Sequence, residues 1–145
     1  MRKLTALLLL SFIAATISAA EQAPRKPWLG MSLQLRQGPS GEKFIYVGVV
    51  PAGTPAARAG IVGGDVVTAI NGKKIAFRDD LDVLEFVGSF KPGDTIRFQV
   101  VHAGKAKAIR VKVGELPREY EDALRQSHER AREMRRLRSQ AGGGH

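Results

Sequence analysis

Glycine-containing turns divide the middle of the chain into short segments, and this spacing is incompatible with long helices between about residues 28 and 115. The segments between the turns are rich in Val, Ile and Phe, and they have the length of ordinary β-strands. Asn71-Gly72 is the clearest hairpin signal, because both residue types tolerate the positive φ that a two-residue turn requires. The pattern therefore predicts a domain built mainly of strands.

Apolar periodicity predicts where these strands lie. Residues 31–35 alternate between apolar and polar side chains, which is typical of a half-buried strand. Residues 44–50 form a nearly continuous apolar run, which indicates a strand covered on both faces. Further strands are predicted at 65–70, 73–77, 95–102 and 106–113.

Two helical segments interrupt the predicted strands. Thr54 can cap a short helical turn that Pro55 begins and Gly60 ends. A longer helix is predicted from Asp79 to Val87, with acidic residues at its positive end and one apolar face. Five to six strands and two helices predict an α+β, mainly β fold: a small, partly open barrel capped by helices.

The first twenty residues have the pattern of a signal peptide. Arg2 and Lys3 precede an apolar run, and small residues follow up to Ala20, where we predict cleavage. An uncleaved membrane anchor is the alternative, but the run is shorter than the roughly 20 residues that span a bilayer. We therefore expect a periplasmic or secreted protein, with a linker at 21–27 and a domain at 28–116. Without cysteine the chain can form neither a disulfide nor a lipid anchor at the cleavage site.

The chain is basic, with a formal charge of +9 that falls to +7 when Arg2 and Lys3 are removed (9 − 2 = 7). In an exported protein such a charge favours anionic surfaces or acidic proteins as partners, and we predict no nucleic-acid partner.

Residues 117–140 predict a charged, basic amphipathic helix, followed by a flexible terminus at 141–145. Its arginines cluster near the end. A helix of this kind could self-associate as a short coiled coil, lie on an anionic membrane, or stay solvated. Its less polar residues form a narrow stripe: Tyr120, Leu124, Ser127, Ala131 and Met134.

The sequence offers little for catalysis. There is no cysteine nucleophile, and His102, His128 and His145 are far apart in sequence. No spacing of ligands suggests a metal site, and no motif suggests a cofactor. We predict a protein that is not an enzyme.

A turn with glycine at its centre precedes the strand at 31–35. Such a turn can align the amides of Leu29, Gly30 and Met31 into an anion-binding nest. A peptide ending in a carboxylate could bind there and add a strand beside residues 31–35. Apolar side chains of Leu29, Met31, Leu33, Leu84 and Val87 would line its groove, and Arg25 or Lys26 could attract the carboxylate. The alternative is an ordinary edge strand that starts after a turn.

The order of these motifs resembles that of a PDZ domain, especially the PDZ domains of bacterial periplasmic HtrA-type serine proteases. The resemblance covers about residues 27 to 115 and implies binding of C-terminal or extended peptides without a cofactor. It also implies that Asp80, at the start of the groove helix, contacts the peptide residue two before the terminus. The matching motifs are Trp28-Leu29-Gly30-Met31, the run 49–61, Gly64-Asp65-Val66-Val67, Ile70-Asn71-Gly72 and Asp80-Leu81.

The turn at residues 29–31 and the resemblance to PDZ domains predict the same peptide-binding site. The segment before Trp28 is too short to hold the protease domain of HtrA-type proteases. We therefore expect peptide capture without cleavage, with delivery of the peptide to a separate protease as one alternative. The candidate peptide-binding residues are Trp28, Leu29, Gly30, Met31, Ser32, Leu33, Asp80, Leu84 and Val87, with Arg25 and Lys26 for carboxylate attraction.

Overall fold

The structure is a computed structural model, and it describes residues 25–143. The predicted signal peptide, most of the linker and the last two residues lie outside the described residues. The elements are β1 Pro27–Trp28, β2 Leu33–Gln37, β3 Lys43–Val47, α1 Pro55–Ala59, β4 Val66–Ile70, β5 Lys73–Lys74, α2 Asp80–Gly88, β6 Thr95–His102, β7 Lys105–Lys112, β8 Gly114–Glu115, a 3-10 turn Arg118–Tyr120 and α3 Glu121–Gly142.

The strands form two antiparallel sheets. Five strands of the larger sheet follow the order β2-β3-β4-β6-β7, and β5 pairs with β4 as its sixth strand. β1 and β8 form the second sheet. The mainly β fold with capping helices and a C-terminal charged helix is confirmed, and the six-stranded sheet is open. Among the described residues, this order leaves β2 at an edge of the sheet, beside β3 alone.

Alternating side chains of the long strands build the core. Ile96, Phe98 and Val100 of β6 are fully buried, while the residues between them are exposed. Ile45 and Val47 of β3 pack into the same cluster. This period-two burial is what the sequence pattern predicts for a sheet with one face on the core.

The short helix α1 has the ends that its sequence predicts. Thr54 Oγ1 accepts a hydrogen bond from the Ala57 amide at 3.2 Å, and Pro55 is the first helical residue. Gly60 ends the helix in the left-handed conformation, with φ of 97°. The same Thr54 is 3 % exposed and lies against the turn that precedes β2, so the cap also shapes the candidate site.

Three predicted strand positions were wrong. β3 ends at Val47 rather than Val50, because Gly48 and Val49 bond to Ser32 in the turn before β2. β2 starts at Leu33 rather than Met31, because Ser32 still belongs to the turn and bonds to Val49 on the chain after β3. The strand predicted at 73–77 ends at Lys74. Beyond it the chain turns inward, where Phe77 packs against Phe86 of α2 with ring centroids 5.2 Å apart.

The C-terminal helix α3 packs along α2. Its half-buried residues include Leu124, Ser127 and Ala131 of the predicted stripe, but Met134 is 51 % exposed. On α2, Val83 packs into the core. Leu81 is two residues earlier, so at about 100° per residue it lies on roughly the opposite side of the helix, yet it is 4 % exposed. We infer that α3 covers Leu81. None of the helices in the described part of the chain combines the length and apolarity needed to cross a bilayer.

Candidate functional site

The turn at residues 29–31 carries three amides without a hydrogen-bond acceptor among the residues that the structure describes. Leu29 is buried, and its carbonyl accepts a hydrogen bond from the Ala56 amide of α1 at 2.9 Å. Within residues 25–143, the N–H groups of Leu29, Gly30 and Met31 make no hydrogen bond. Buried or partly buried amides normally find a partner, so three consecutive amides of this kind indicate a place for an external acceptor.

Gly30 makes this turn possible. Its φ is 73°, a conformation that L side chains rarely adopt. A Cβ at this position would lie 2.3 Å from Thr54 Cβ and 2.6 Å from Thr54 Cγ2, which is closer than atoms can approach. The glycine therefore lets the turn close against the cap of α1.

The edge of β2 continues directly from this turn. Ser32 bonds inward, since its N–H donates to the Val49 carbonyl and its carbonyl accepts from Gly48, both at 3.0 Å. Alternate residues of a strand direct their main-chain groups to the same side. The main-chain groups of Leu33 and Leu35 consequently face away from β3, toward α2.

The α2 helix forms the opposite wall. Asp80, Leu84 and Val87 share one helical face, because they are four and three residues apart. Leu84 and Val87 are half-buried, and Val87 packs on the core together with Met31 and Leu33. We call the space between the edge of β2 and this face of α2 the groove; its apolar side chains lie beside the three amides of residues 29–31.

Asp80 closes the far end of this groove. Its Oδ1 accepts a hydrogen bond from the Leu35 amide at 2.9 Å, which joins the start of α2 to the edge of β2. This carboxylate thus occupies a main-chain donor that an added strand would otherwise use.

A cluster of charges behind Asp80 connects α2 to α3. Arg135 donates to both oxygens of Asp79, at 2.6 and 2.7 Å, and to Asp82 Oδ1 at 2.8 Å. Arg78 pairs with Asp82 from the other side. The Arg135 guanidinium lowers the pKa of Asp79, and hydrogen bonds from Arg78 followed by those from Arg135 lower the pKa of Asp82.

Several predicted site residues have partners outside the groove. Trp28 sits in β1, with its ring stacked on Tyr120 at 5.5 Å between centroids. The Ser32 hydroxyl accepts from the Val49 amide at 2.8 Å, so it fastens the turn and does not face the groove. Arg25 pairs with Glu115. Lys26 is exposed, and its carbonyl accepts from the Leu116 amide.

His102, at the end of β6, is paired with an aspartate. Its Nδ1 lies 2.6 Å from Oδ1 of Asp65, which is fully buried. The other Asp65 oxygen accepts from the Val62 amide at 3.1 Å. The pair ties the β6–β7 hairpin to the turn before β4.

Sequence reasoning missed the link between Asp79 and Arg135. The two residues are 56 positions apart, and no sequence motif links them. The available signal was the pair of acids Asp79 and Asp82 on one side of α2, which favours a cation nearby.

The comparisons with known proteins agree with this geometry. A family model described as PDZ domain matches residues 27–113. The chain is 35 % identical over 97 residues to a probable periplasmic serine endoprotease DegP-like of Rhizobium meliloti (strain 1021), and 35 % identical over 99 residues to one of Ectopseudomonas mendocina (strain ymp). These alignments cover 62 and 63 % of this chain but 19 and 20 % of the relatives, so the matched part spans about a fifth of their length.

Solved structures show the same similarity. The HtrA-type protease AlgW with a tripeptide superposes with a TM-score of 0.53 and 25 % identity, over 63 % of this chain and 32 % of that one. The HtrA3 PDZ domain bound to the phage-derived ligand FGRWV gives a TM-score of 0.51 at 21 % identity, over 63 and 88 % of the two chains, which shows a shared fold. The chain therefore belongs to the PDZ domain family.

Proposed function

We propose that this protein is an exported, non-catalytic module that captures C-terminal or extended peptides by strand addition between β2 and α2. The single observation that carries the proposal is that the three unbonded amides of residues 29–31 lead directly into the edge of β2, beside which residues 25–143 place no other strand. Relatives named as periplasmic proteases, and HtrA-type structures solved with peptides, support it. The residues at the groove need no metal or cofactor to bind a peptide.

The proposed binding mode follows from strand geometry. The terminal carboxylate accepts hydrogen bonds from the amides of Leu29, Gly30 and Met31, and the last side chain rests on Leu84 and Val87. The peptide then runs antiparallel to β2. The main chain of its third residue from the end pairs with Leu33, and its fifth would reach Leu35.

Asp80 sets the length of the added strand in this proposal. Its carboxylate holds the Leu35 amide, so a peptide residue at that position must displace it. Asp80 is exposed, so water can replace the lost bond, and displacement costs about 0.5–1.5 kcal/mol, the net contribution of one hydrogen bond. Binding is therefore concentrated in the last three or four peptide residues, and upstream residues contribute little.

The proposed cellular role is that of an adaptor in the periplasm. Peptide ends held in the groove would be kept, or passed to a separate protease, without cleavage by this chain. The names of the relatives support the compartment, but their proteolytic activity belongs to proteins about five times the length of the matched part.

Amide hydrogen exchange followed by NMR tests the binding mode. The probe is a hexapeptide with a free carboxylate and a C-terminal Val or Leu, chosen from a library for detectable binding. Its addition should slow exchange at residues 29–31 and at Leu33. Gln34 and Arg36 already pair with β3, so their exchange should change little.

The difference in exchange between neighbouring amides of β2 is the internal control in that experiment. A peptide that bound elsewhere, or that only stabilised the whole fold, would slow Leu33 and Gln34 together. Such a uniform change, or protection confined to residues outside 29–35, would contradict strand addition at β2.

A further inference from the structure

The outer face of the β6–β7 hairpin carries two arginines directly opposite each other. The strand register pairs Arg97 with Arg110, and both side chains are exposed on the face away from the core. Like charges in directly opposed positions destabilise a sheet. Lys112 is diagonal to Arg97 on the same face and adds a third positive charge.

Carboxylates that could compensate these charges are missing from the two strands. Residues 95–112 contain five cations, namely Arg97, Lys105, Lys107, Arg110 and Lys112, and no Asp or Glu. Within residues 25–143, the guanidinium groups of Arg97 and Arg110 take part in no ion pair or hydrogen bond. In contrast, Arg25, Arg78, Arg125 and Arg135 each pair with an acid.

The basic character of the chain is therefore concentrated here rather than on the tail. Residues 118–142 contain seven arginines and five acids, a net charge of +2 (7 − 5 = 2). Edge strands often carry lysines that prevent pairing with other chains, which accounts for Lys105 and Lys107 on β7. It does not account for Arg97, because β6 is an interior strand.

Polar donors surround the two arginines. Asn71, Thr95, Arg97 and Arg110 line an open depression of about 250 Å³. Asn71 Oδ1 accepts from the Arg97 amide at 2.9 Å, which leaves the Asn71 side-chain NH₂ group as a donor. A Cβ at Gly72 would lie 3.3 Å from Arg97 Nη2, so this guanidinium lies beside the Asn71-Gly72 turn.

We propose that this depression is an oxyanion site, in which Arg97 and Arg110 bind a phosphate-type group from opposite strands. Guanidinium groups match the oxygens of phosphate with paired hydrogen bonds, and an anionic group between the two arginines offsets their repulsion. Thr95 and Asn71 supply neutral donors to the same group. The site lies on β6 and β7, away from the β2 edge, so it is independent of peptide capture.

Two probes distinguish the source of the phosphate group. The full-length protein is titrated with inorganic pyrophosphate by calorimetry, and sedimented with vesicles of phosphatidylglycerol in phosphatidylcholine. Binding of pyrophosphate indicates a soluble phosphate compound, and binding only to the anionic vesicles indicates a lipid headgroup; either supports the site. Binding to neither probe overturns it.

A matched pair of variants separates the site from general charge attraction. Arg97→Gln with Arg110→Gln should weaken binding of the active probe at least about tenfold, the loss of roughly one charge-assisted hydrogen bond. Arg130→Gln with Arg132→Gln removes the same charge from exposed positions of α3 and should change it less than about twofold. Equal losses in the two double variants would overturn the proposal. Unchanged peptide binding by Arg97→Gln with Arg110→Gln would verify that this variant is folded.

Discussion

Gly30→Ala is expected to reduce peptide affinity at least about a hundredfold and to lower the free energy of unfolding by about 2–4 kcal/mol. The new Cβ would stand 2.3 Å from Thr54 Cβ, and Thr54 is buried and caps α1, so it cannot move aside. The left-handed conformation adds roughly 1–2 kcal/mol of strain for alanine. The turn must therefore open, and the three amides lose their common direction.

Gly53→Ala is the matched control for this substitution. Gly53 has a φ of 78°, close to the 73° of Gly30, but a Cβ there would meet no atom within 4 Å. This variant should show the backbone strain alone, about 1–2 kcal/mol, and bind peptide normally. Calorimetric titration and chemical denaturation measure both effects. If the two variants bound peptide equally well, the role of the 29–31 turn would be refuted.

Asp79→Ala should have the second largest effect on stability, because the Asp79 side chain both caps α2 and binds α3. Asp79 caps α2 by accepting from the Asp82 amide at 3.1 Å, and it also receives two hydrogen bonds from Arg135 of α3. Loss of a helix cap costs about 1 kcal/mol, and loss of charge-assisted bonds at a side chain that is 16 % exposed costs a similar amount. We expect a decrease of about 2 kcal/mol in the free energy of unfolding.

Asp79→Asn separates the two contributions. Asparagine caps helices as well as aspartate does, so this variant keeps the cap and loses the charge. It should lose about half as much stability as Asp79→Ala, and Arg135→Gln should act in the same direction. Hydrogen exchange of residues 121–143 should accelerate in both, because α3 loses its anchor on α2. Unchanged exchange there would contradict the anchoring role of Arg135.

The same ion pair predicts how acid affects stability. Folding lowers the pKa of Asp79, so its contribution is fully present above the unfolded value of about 3.9 and disappears as the pH falls through the folded value. The difference in unfolding free energy between wild type and Asp79→Asn should therefore be constant above about pH 5 and should shrink below pH 4.

Local sequence signals predicted the features that depend on a few neighbouring residues. The cap at Thr54, the turn at Asn71-Gly72 and the helix after Asp79 each follow from residue types at fixed short spacings. The start of β2 was misplaced by two residues, because the hydroxyl and main chain of Ser32 bond to Val49, which follows β3. A single sequence does not encode that pairing in any local pattern.

Long-range features were missed for a related reason. The tail was predicted as a separate charged helix, but Arg135 bonds to an acid 56 residues earlier and joins α3 to the domain. The opposition of Arg97 and Arg110 depends on the register of β6 and β7, which fixes the two residues on one face. Both arrangements depend on how separate elements pack against each other, and local sequence patterns predict each element but not this packing.

The central claim is that the amides of residues 29–31 bind a terminal carboxylate, and C-terminal amidation of the peptide tests it most directly. The full-length protein is titrated by calorimetry with one peptide in two forms, as the free acid and as the C-terminal amide. Hydrogen bonds to a charged acceptor contribute roughly 1.5–3 kcal/mol each, so the amide should bind at least about a hundredfold more weakly. Equal affinity of the two forms would contradict the claim.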